Sequence, residues 1–265
     1  MSVFSSPLPA ADIVARLRTA GCVFAEDEAE LLVATARSPA ELAAMVDRRV
    51  AGRPLEHVLG WAEFCGLRLV VEPGVFVPRP RTEFLIGEAV ALARESPGTP
   101  VVLDLCCGTG AMGAAVAAGL AGAAELHAAD LDPAAVRCAR RNLPGGHVYE
   151  GDLYEPLPAT LRGRVGILIA SPPYVPTASV GLLPPEARLH EPLVALDGGD
   201  DGLDVVRRVI AQAPEWLAPG GHLLVETSER QAAETVRAVE RAGLAARAAS
   251  SGELDATAVI GTRLP

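Results

Sequence analysis

Apolar positions change their spacing along the chain. Through the first fifty residues they recur at three- and four-residue intervals, as in Ile13, Val14 and Leu17 within Pro9 to Ala20, and again from Ala29 to Ala36 behind the acidic turn Glu26, Asp27 and Glu28. That spacing lines one face of a helix, and carboxylates in a first turn complement the helix dipole. A third helix is punctuated more sharply. Ser38-Pro39-Ala40-Glu41 offers a capping serine, a proline at the first helical position and a glutamate able to complete a capping box before Leu42, Met45 and Val46, with Gly52 closing the element. From Arg53 to Pro80 the pattern shortens to β-like runs, Leu67–Val71 and Val75–Val77, joined at Glu72-Pro73-Gly74, which predicts a hairpin turning there.

From Pro100 onward, apolar runs alternate with helical patterns. Strands are predicted at Val101–Leu105, Glu125–Ala129, His147–Glu150, Val165–Ala170, Gly221–Glu226, Leu244–Ala249 and Ala256–Gly261. The helices between them are Gly110–Leu120, Pro133–Asn142, Leu203–Trp216 and Glu229–Ala242, the last opening on Ser228 and Gln231 as a second capping box. Such alternation implies an α/β fold with a mainly parallel sheet covered on both faces, and ligands at the carboxyl ends of its strands. One long irregular segment, Val175 to Gly202, interrupts the pattern, and loops of that length are usually functional.

Composition narrows the function. The 265 residues are half hydrophobic and 21% charged, enough apolar surface for a sizeable core. There is no lysine, and 23 basic residues against 33 acidic ones leave a net charge of −10, which disfavours DNA and RNA because binding them rests on neutralising phosphates. Five cysteines without a C-x-x-C pair predict free thiols, a reducing and hence cytoplasmic setting, and no metal site. The opening M-S-V-F-S-S-P-L-P has no basic stretch before an apolar one, so no secretory signal is expected. The uncharged run from Leu105 to Ala124 is long enough to cross a membrane, but its five glycines suit a glycine loop opening a buried helix, and no membrane partner is expected.

Three strands in succession end in acidic or glycine-rich turns. The first runs into Asp104-Leu105-Cys106-Cys107-Gly108-Thr109-Gly110 and then a helix, whose first N–H groups are unpaired. The second ends at Asp130, placed to accept both hydroxyls of a ribose, and the third leads to Gly151-Asp152-Leu153. This set suits a nucleoside carrying little phosphate better than a dinucleotide, whose G-x-G-x-x-G spacing is absent. After the fourth strand comes Ser171-Pro172-Pro173-Tyr174. A residue before proline is held extended, so carbonyls at Ser171 or Pro172 can face a planar amide or amine on which Tyr174 stacks.

Here the chain resembles class I S-adenosylmethionine-dependent methyltransferases acting on planar nitrogen, with their [N/D/S]-P-P-[Y/F/W] motif. More narrowly it resembles the HemK/PrmC-type protein-glutamine N5-methyltransferases. Arg53 to Gly60, Glu63-Phe64-Cys65-Gly66, and Val77-Pro78-Arg79-Pro80-Arg81-Thr82-Glu83 carry that match. So do Glu191-Pro192 with Ala195 to Leu203, then Pro219-Gly220-Gly221 and Glu226.

The resemblance implies a Rossmann-like domain with a seven-stranded, mostly parallel sheet at residues 83–265, a β-hairpin linker at 53–82 and a helical substrate-recognition domain at 1–52. It implies S-adenosyl-L-methionine as cofactor, held by Asp104, Cys106, Gly108, Gly110, Asp130, Leu131, Asp152, Leu153 and Ser171. Ser171, Pro172 and Tyr174 would be catalytic, with Arg79, Pro80, Thr82, Pro173 and Glu191 binding substrate, and the partner would be the Gly-Gly-Gln domain of a peptide chain release factor. Three departures stand out: Ser171 replaces the usual asparagine, Cys106 replaces a glycine and so implies a position without positive φ, and the helical part is short. They suggest a divergent paralogue and keep open an N-methyltransferase of small molecules or peptides, or a cofactor-binding domain without turnover.

Overall fold

A computed structural model of the protein describes residues 9–96 and 98–265; the expectation for the opening segment falls on Met1 to Leu8, outside them. Helices α1 (Ala10–Thr19), α2 (Ala25–Thr35) and α3 (Pro39–Val50) come first, as their spacing predicts. They bury Ile13, Leu17, Leu32, Leu42, Met45 and Val46 in a core of their own. Ser38 caps α3 by accepting from Glu41 N at 3.1 Å. The expected return bond is redirected, since Glu41 Oε2 accepts from the backbone N–H of Arg37 at 2.8 Å.

The linker differs from its prediction. A short helix α4 (Leu55–Leu59) precedes strand β1 (Trp61–Phe64), which pairs antiparallel with β2 (Leu67–Val70). The turn is Cys65-Gly66, both at positive φ (48° and 71°), the conformation a two-residue hairpin needs. Val75 to Val77 forms no strand. Its polar groups are satisfied otherwise, His57 Nε2 donating to Val75 O at 2.8 Å and Val77 N to Glu191 Oε1 at 3.1 Å, while Val75 packs on Ala135 and Cys138.

Helix α5 (Glu83–Glu95) has no counterpart among the expected elements and buries Leu85, Ile86, Ala89 and Ala93. After it run β3 (Val101–Leu105), α6 (Ala111–Gly119), β4 (Glu125–Asp130), α7 (Pro133–Asn142), β5 (His147–Glu150) and β6 (Val165–Ala170). Then come α8 (Pro185–His190), α9 (Asp204–Trp216), β7 (Leu217–Thr227), α10 (Glu229–Arg241), β8 (Ala245–Ser251) and β9 (Ala256–Thr262). The seven-stranded sheet has order β5-β4-β3-β6-β7-β9-β8, parallel from β5 to β7 and antiparallel at β9 and β8.

Side chains alternate across this sheet with period two. Leu168 and Ala170 of β6 face the core under α9 and α10, while Ile167 and Ile169 face the one under α5, α6 and the hairpin. Because β3 has β4 on one side and β6 on the other, the chain departs in opposite directions from its carboxyl end and leaves a crevice there. No described helix is long and apolar enough to cross a membrane. Ser38→Ala is expected to lower unfolding free energy by about 1 kcal/mol in chemical denaturation, the usual worth of an N-cap.

Candidate functional site

The crevice opens into a cavity of about 490 Å³. Gly108 and Thr109 after β3, Asp130 and Leu131 after β4, Asp152 and Leu153 after β5, and Ser171 to Val175 after β6 line one wall. Arg79, Arg81 and Thr82 from the segment before α5, and Pro184, Glu186 and Ala187 around α8, line the other. Of the residues singled out from sequence, Cys106, Gly108, Asp130, Leu131, Asp152, Leu153, Ser171, Pro172, Pro173, Tyr174, Arg79 and Thr82 all border this cavity. Asp104, Gly110, Pro80 and Glu191 stand behind its wall.

Each of those four supports the wall. Asp104 on β3 is fully buried beneath α6, where its Oδ2 accepts from Gly113 N at 2.8 Å and its Oδ1 has no partner. Burial pushes its carboxyl up to about 8 against the pull of the Gly113 N–H, with Asp130 nearby adding to the rise. Gly110 caps α6 at φ 76°, and a Cβ there would lie 3.0 Å from Leu143 Cδ1. Pro80 opens the 3₁₀ turn Pro80–Thr82. Glu191 accepts from Arg79 Nη2 at 2.7 and 2.6 Å, so it anchors Arg79, whose guanidinium also lies over the Phe76 ring.

The glycine loop departs from expectation at Cys106, whose φ is 56°. The position does adopt the left-handed region, which costs a non-glycine residue roughly 1–2 kcal/mol, and desolvation holds the half-buried thiol well above its ordinary pKa. Asp130 binds this loop to its own turn, Oδ2 accepting from Gly108 N at 2.8 Å and Oδ1 from Asp132 N at 2.9 Å. Burial raises its carboxyl and these N–H groups oppose the rise. A carboxylate has about four acceptor positions, so two remain for a pair of hydroxyls. Asp152 pairs with Arg208 of α9 at 2.6 Å. Asp130 and Asp152, two acidic groups that border the cavity, disfavour phosphate and suit an uncharged ribose bearing a cationic side chain, so these residues fit S-adenosylmethionine.

At the end of β6 the site depends on residues that no candidate list drawn from the motifs contains. Glu226, 5% exposed, accepts from Thr82 Oγ1 at 2.6 Å and Tyr174 OH at 3.2 Å, and at the outer limit from Arg81 Nε at 3.4 Å and Ser171 Oγ at 3.5 Å. Arg81 also donates to Tyr174 OH at 2.6 Å, and the tyrosine pKa is pushed up to about 12 by burial and then by Glu226. Gln231 does not complete a capping box. Its Oε1 accepts from Ser228 Oγ, and its Nε2 donates to Tyr174 O and Asp201 O, both at 3.0 Å. This ties the Pro-Pro-Tyr segment to the loop of Gly198 to Gly202, where a Cβ on Gly202 would lie 2.3 Å from Tyr174 O.

The signal for Glu226 is its place at the end of a strand beside β6, which only the sheet order reveals. The helical bundle reaches the rim through Arg49, buried, which donates to both oxygens of Glu28 at 2.6 and 2.9 Å and to Glu186 at 2.5 Å.

A family model described as "Methyltransferase small domain" matches residues 67–181. The release factor glutamine methyltransferase of Geobacter sulfurreducens is 41% identical over 213 residues, 78% of this chain and 72% of its own. That of Streptomyces coelicolor is 40% identical over 190 residues, 71% and 67% respectively. Among solved structures, a methyltransferase from Pyrococcus furiosus has a TM-score of 0.55 at 16% identity, covering 76% of this chain and 90% of its own. The T. thermophilus 16S rRNA N2 G1207 methyltransferase, solved with AdoMet and guanosine, gives 0.56 at 21%, covering 77% and 49%. These likenesses carry the fold: a Rossmann-like, class I methyltransferase.

Asp104 supplies a test of the glycine loop. Its folded pKa of about 8 lies above the ordinary 3.8, so the folded state keeps a proton that the unfolded chain releases, and stability falls as pH rises from about 4 to about 8. Asp104→Asn, which mimics the protonated group, is expected to melt progressively higher than the parent across that window and by a constant margin above it. Thermal melts of both proteins from pH 5 to 9 measure the difference.

Proposed function

The chain belongs to the release factor glutamine methyltransferase family, and from that membership we propose that it transfers a methyl group from S-adenosyl-L-methionine to the side-chain amide nitrogen, N5, of the Gly-Gly-Gln glutamine of a peptide chain release factor. The observation that carries the reading is the meeting of two loops, Arg79 to Thr82 and Ser171 to Tyr174, around one buried carboxylate beside the acidic strand ends. When bound, S-adenosyl-L-methionine supplies an electrophilic sulfonium methyl.

The chain's own residues then divide the work. Asp130 would take the ribose hydroxyls on its free acceptor positions, with Leu131, Asp152 and Leu153 beside the adenine. The loop from Cys106 to Gly110, supported from below by Asp104, would hold the methionine end. Amide nitrogen is a poor nucleophile because its lone pair is shared with its carbonyl. Ser171 and the carbonyl of Pro172 would hold the target N–H groups in a site that excludes water, supplying orientation and limiting that delocalisation. Tyr174, its hydroxyl gripped by Arg81 and Glu226, presents a fixed ring face for stacking. The amide proton leaves to solvent. Arg79, Pro80, Thr82, Pro173 and Glu191 shape the entrance, and the short helical bundle contributes to release-factor recognition through the Arg49–Glu186 contact. A protein that modifies translation factors works in the cytoplasm.

Incubation with S-adenosylmethionine and candidate release factors, followed by mass spectrometry of the Gly-Gly-Gln peptide, is expected to show one added methyl on glutamine and none when that residue is alanine. Absence of label on every release factor, with label on a small amine or peptide, would move the assignment to that substrate. Asp130→Ala is expected to weaken cofactor binding roughly 10- to 100-fold by calorimetry, the loss of one or two hydrogen bonds to a charged group.

A further inference from the structure

Serine in place of asparagine before Pro-Pro-Tyr poses a chemical problem. Asparagine presents a carbonyl oxygen that can only accept and an NH₂ that can only donate, whereas a hydroxyl can do either and is fixed by its neighbours. The neighbour of Ser171 is Glu226. Ala170 pairs with Val225 across β6 and β7, so the same register continued by one residue brings Ser171 opposite Glu226. The carboxylate side chain is 7% exposed, with Thr82 Oγ1 at 2.6 Å and Ser171 Oγ at 3.5 Å from Oε2, and Tyr174 OH at 3.2 Å and Arg81 Nε at 3.4 Å from Oε1. An acceptor-only group behind a hydroxyl draws its proton inward. The lone pairs of Ser171 Oγ then face the cavity that the residue lines.

We propose that Glu226 is a positioning residue that turns the Ser171 hydroxyl into a hydrogen-bond acceptor for the N–H of the target amide, supplying the polarity that asparagine carries by itself. The proposal rests on the glutamine-methylation reading above. It gives the site a preference for a side chain that brings an N–H to Ser171, and it makes that preference depend on a residue that never touches the substrate. Replacing Glu226 by glutamine reverses the arrangement, because an amide NH₂ can donate to Ser171 Oγ and free the serine proton to point outward.

The test compares binding of two release factors, one with its Gly-Gly-Gln glutamine and one with glutamate there, to the full-length protein with S-adenosylhomocysteine bound. Methylation of glutamine by the parent protein checks the underlying reading separately. The parent is expected to prefer glutamine, and Glu226→Gln to lower that preference at least fivefold while cofactor affinity stays within twofold. In a Ser171→Asn background, Glu226→Gln is expected to change the preference less than twofold. An unchanged preference in Glu226→Gln, or the same drop in the Ser171→Asn background as in the parent, overturns the proposal. Should Glu226→Gln fail to bind cofactor, Ser171→Ala decides: loss of the preference sustains the acceptor role and its retention refutes it.

Discussion

Parallel pairing of β4, β3 and β6 forces three successive segments to leave the sheet at one edge, and nearly every feature of the site follows from that constraint. At such an edge the strands stop supplying partners for one another. The backbone N–H groups of the following turns must then be satisfied by side chains or by a ligand. Asp130 takes Gly108 N and Asp132 N, and Asp104 takes Gly113 N in the first turn of α6, so two carboxyl groups fix the glycine loop and the start of the helix that follows it. Asp130, which organises the loop, is also the group whose spare acceptor positions suit a ribose.

The other half of the site solves a different difficulty. Two loops distant in sequence, Arg79 to Thr82 and Ser171 to Tyr174, have no strand or helix in common to hold them in register. Glu226 holds both from the end of β7, and Gln231 in the first turn of α10 ties Tyr174 O to Asp201 O. A buried carboxylate is costly unless hydrogen-bonded. Here its desolvation is offset by four donors, so loss of any one loop position leaves charge unsatisfied and the two loops rise or fall together.

What the sequence disclosed follows from the range of the forces involved. The bounds of β3, β6 and α7 are readable because burial on two faces or an amphipathic stripe with Asp132-Pro133 at its start is a local property. The hairpin lies away from its predicted turn because Glu72-Pro73-Gly74 is the louder turn signal, while Cys65-Gly66 takes the tighter turn and His57 and Glu191, far along the chain, occupy the polar groups around Val75. Helix α5 is missing from the expected elements although Leu85, Ile86, Ala89 and Ala93 repeat at helical spacing. Ser228 and Gln231 have the letters of a capping box, but a long-range bond to Tyr174 O outcompetes the local one. Glu226 is part of the stretch that carries the family resemblance, but nothing local assigns it a place in the site, and its role exists only once β7 stands beside β6.

The absence of lysine acquires a structural meaning at this site. The cations that brace it are arginines, and three of them, Arg81 and Arg79 on its wall and Arg49 behind Glu186, use the planar fork to join more than one acceptor or ring. Arg81 links Tyr174 OH to Glu226, Arg79 grips both oxygens of Glu191 while covering Phe76, and Arg49 joins Glu28 of α2, the Arg53 carbonyl and Glu186 of α8. An ammonium is a single compact charge on a flexible stem and cannot span such pairs with the same rigidity. A coding bias toward arginine therefore leaves its mark on how the walls of the cavity are braced. It also explains how a bundle of only three principal helices can bear on the entrance, since one buried guanidinium transmits its position to α8 directly.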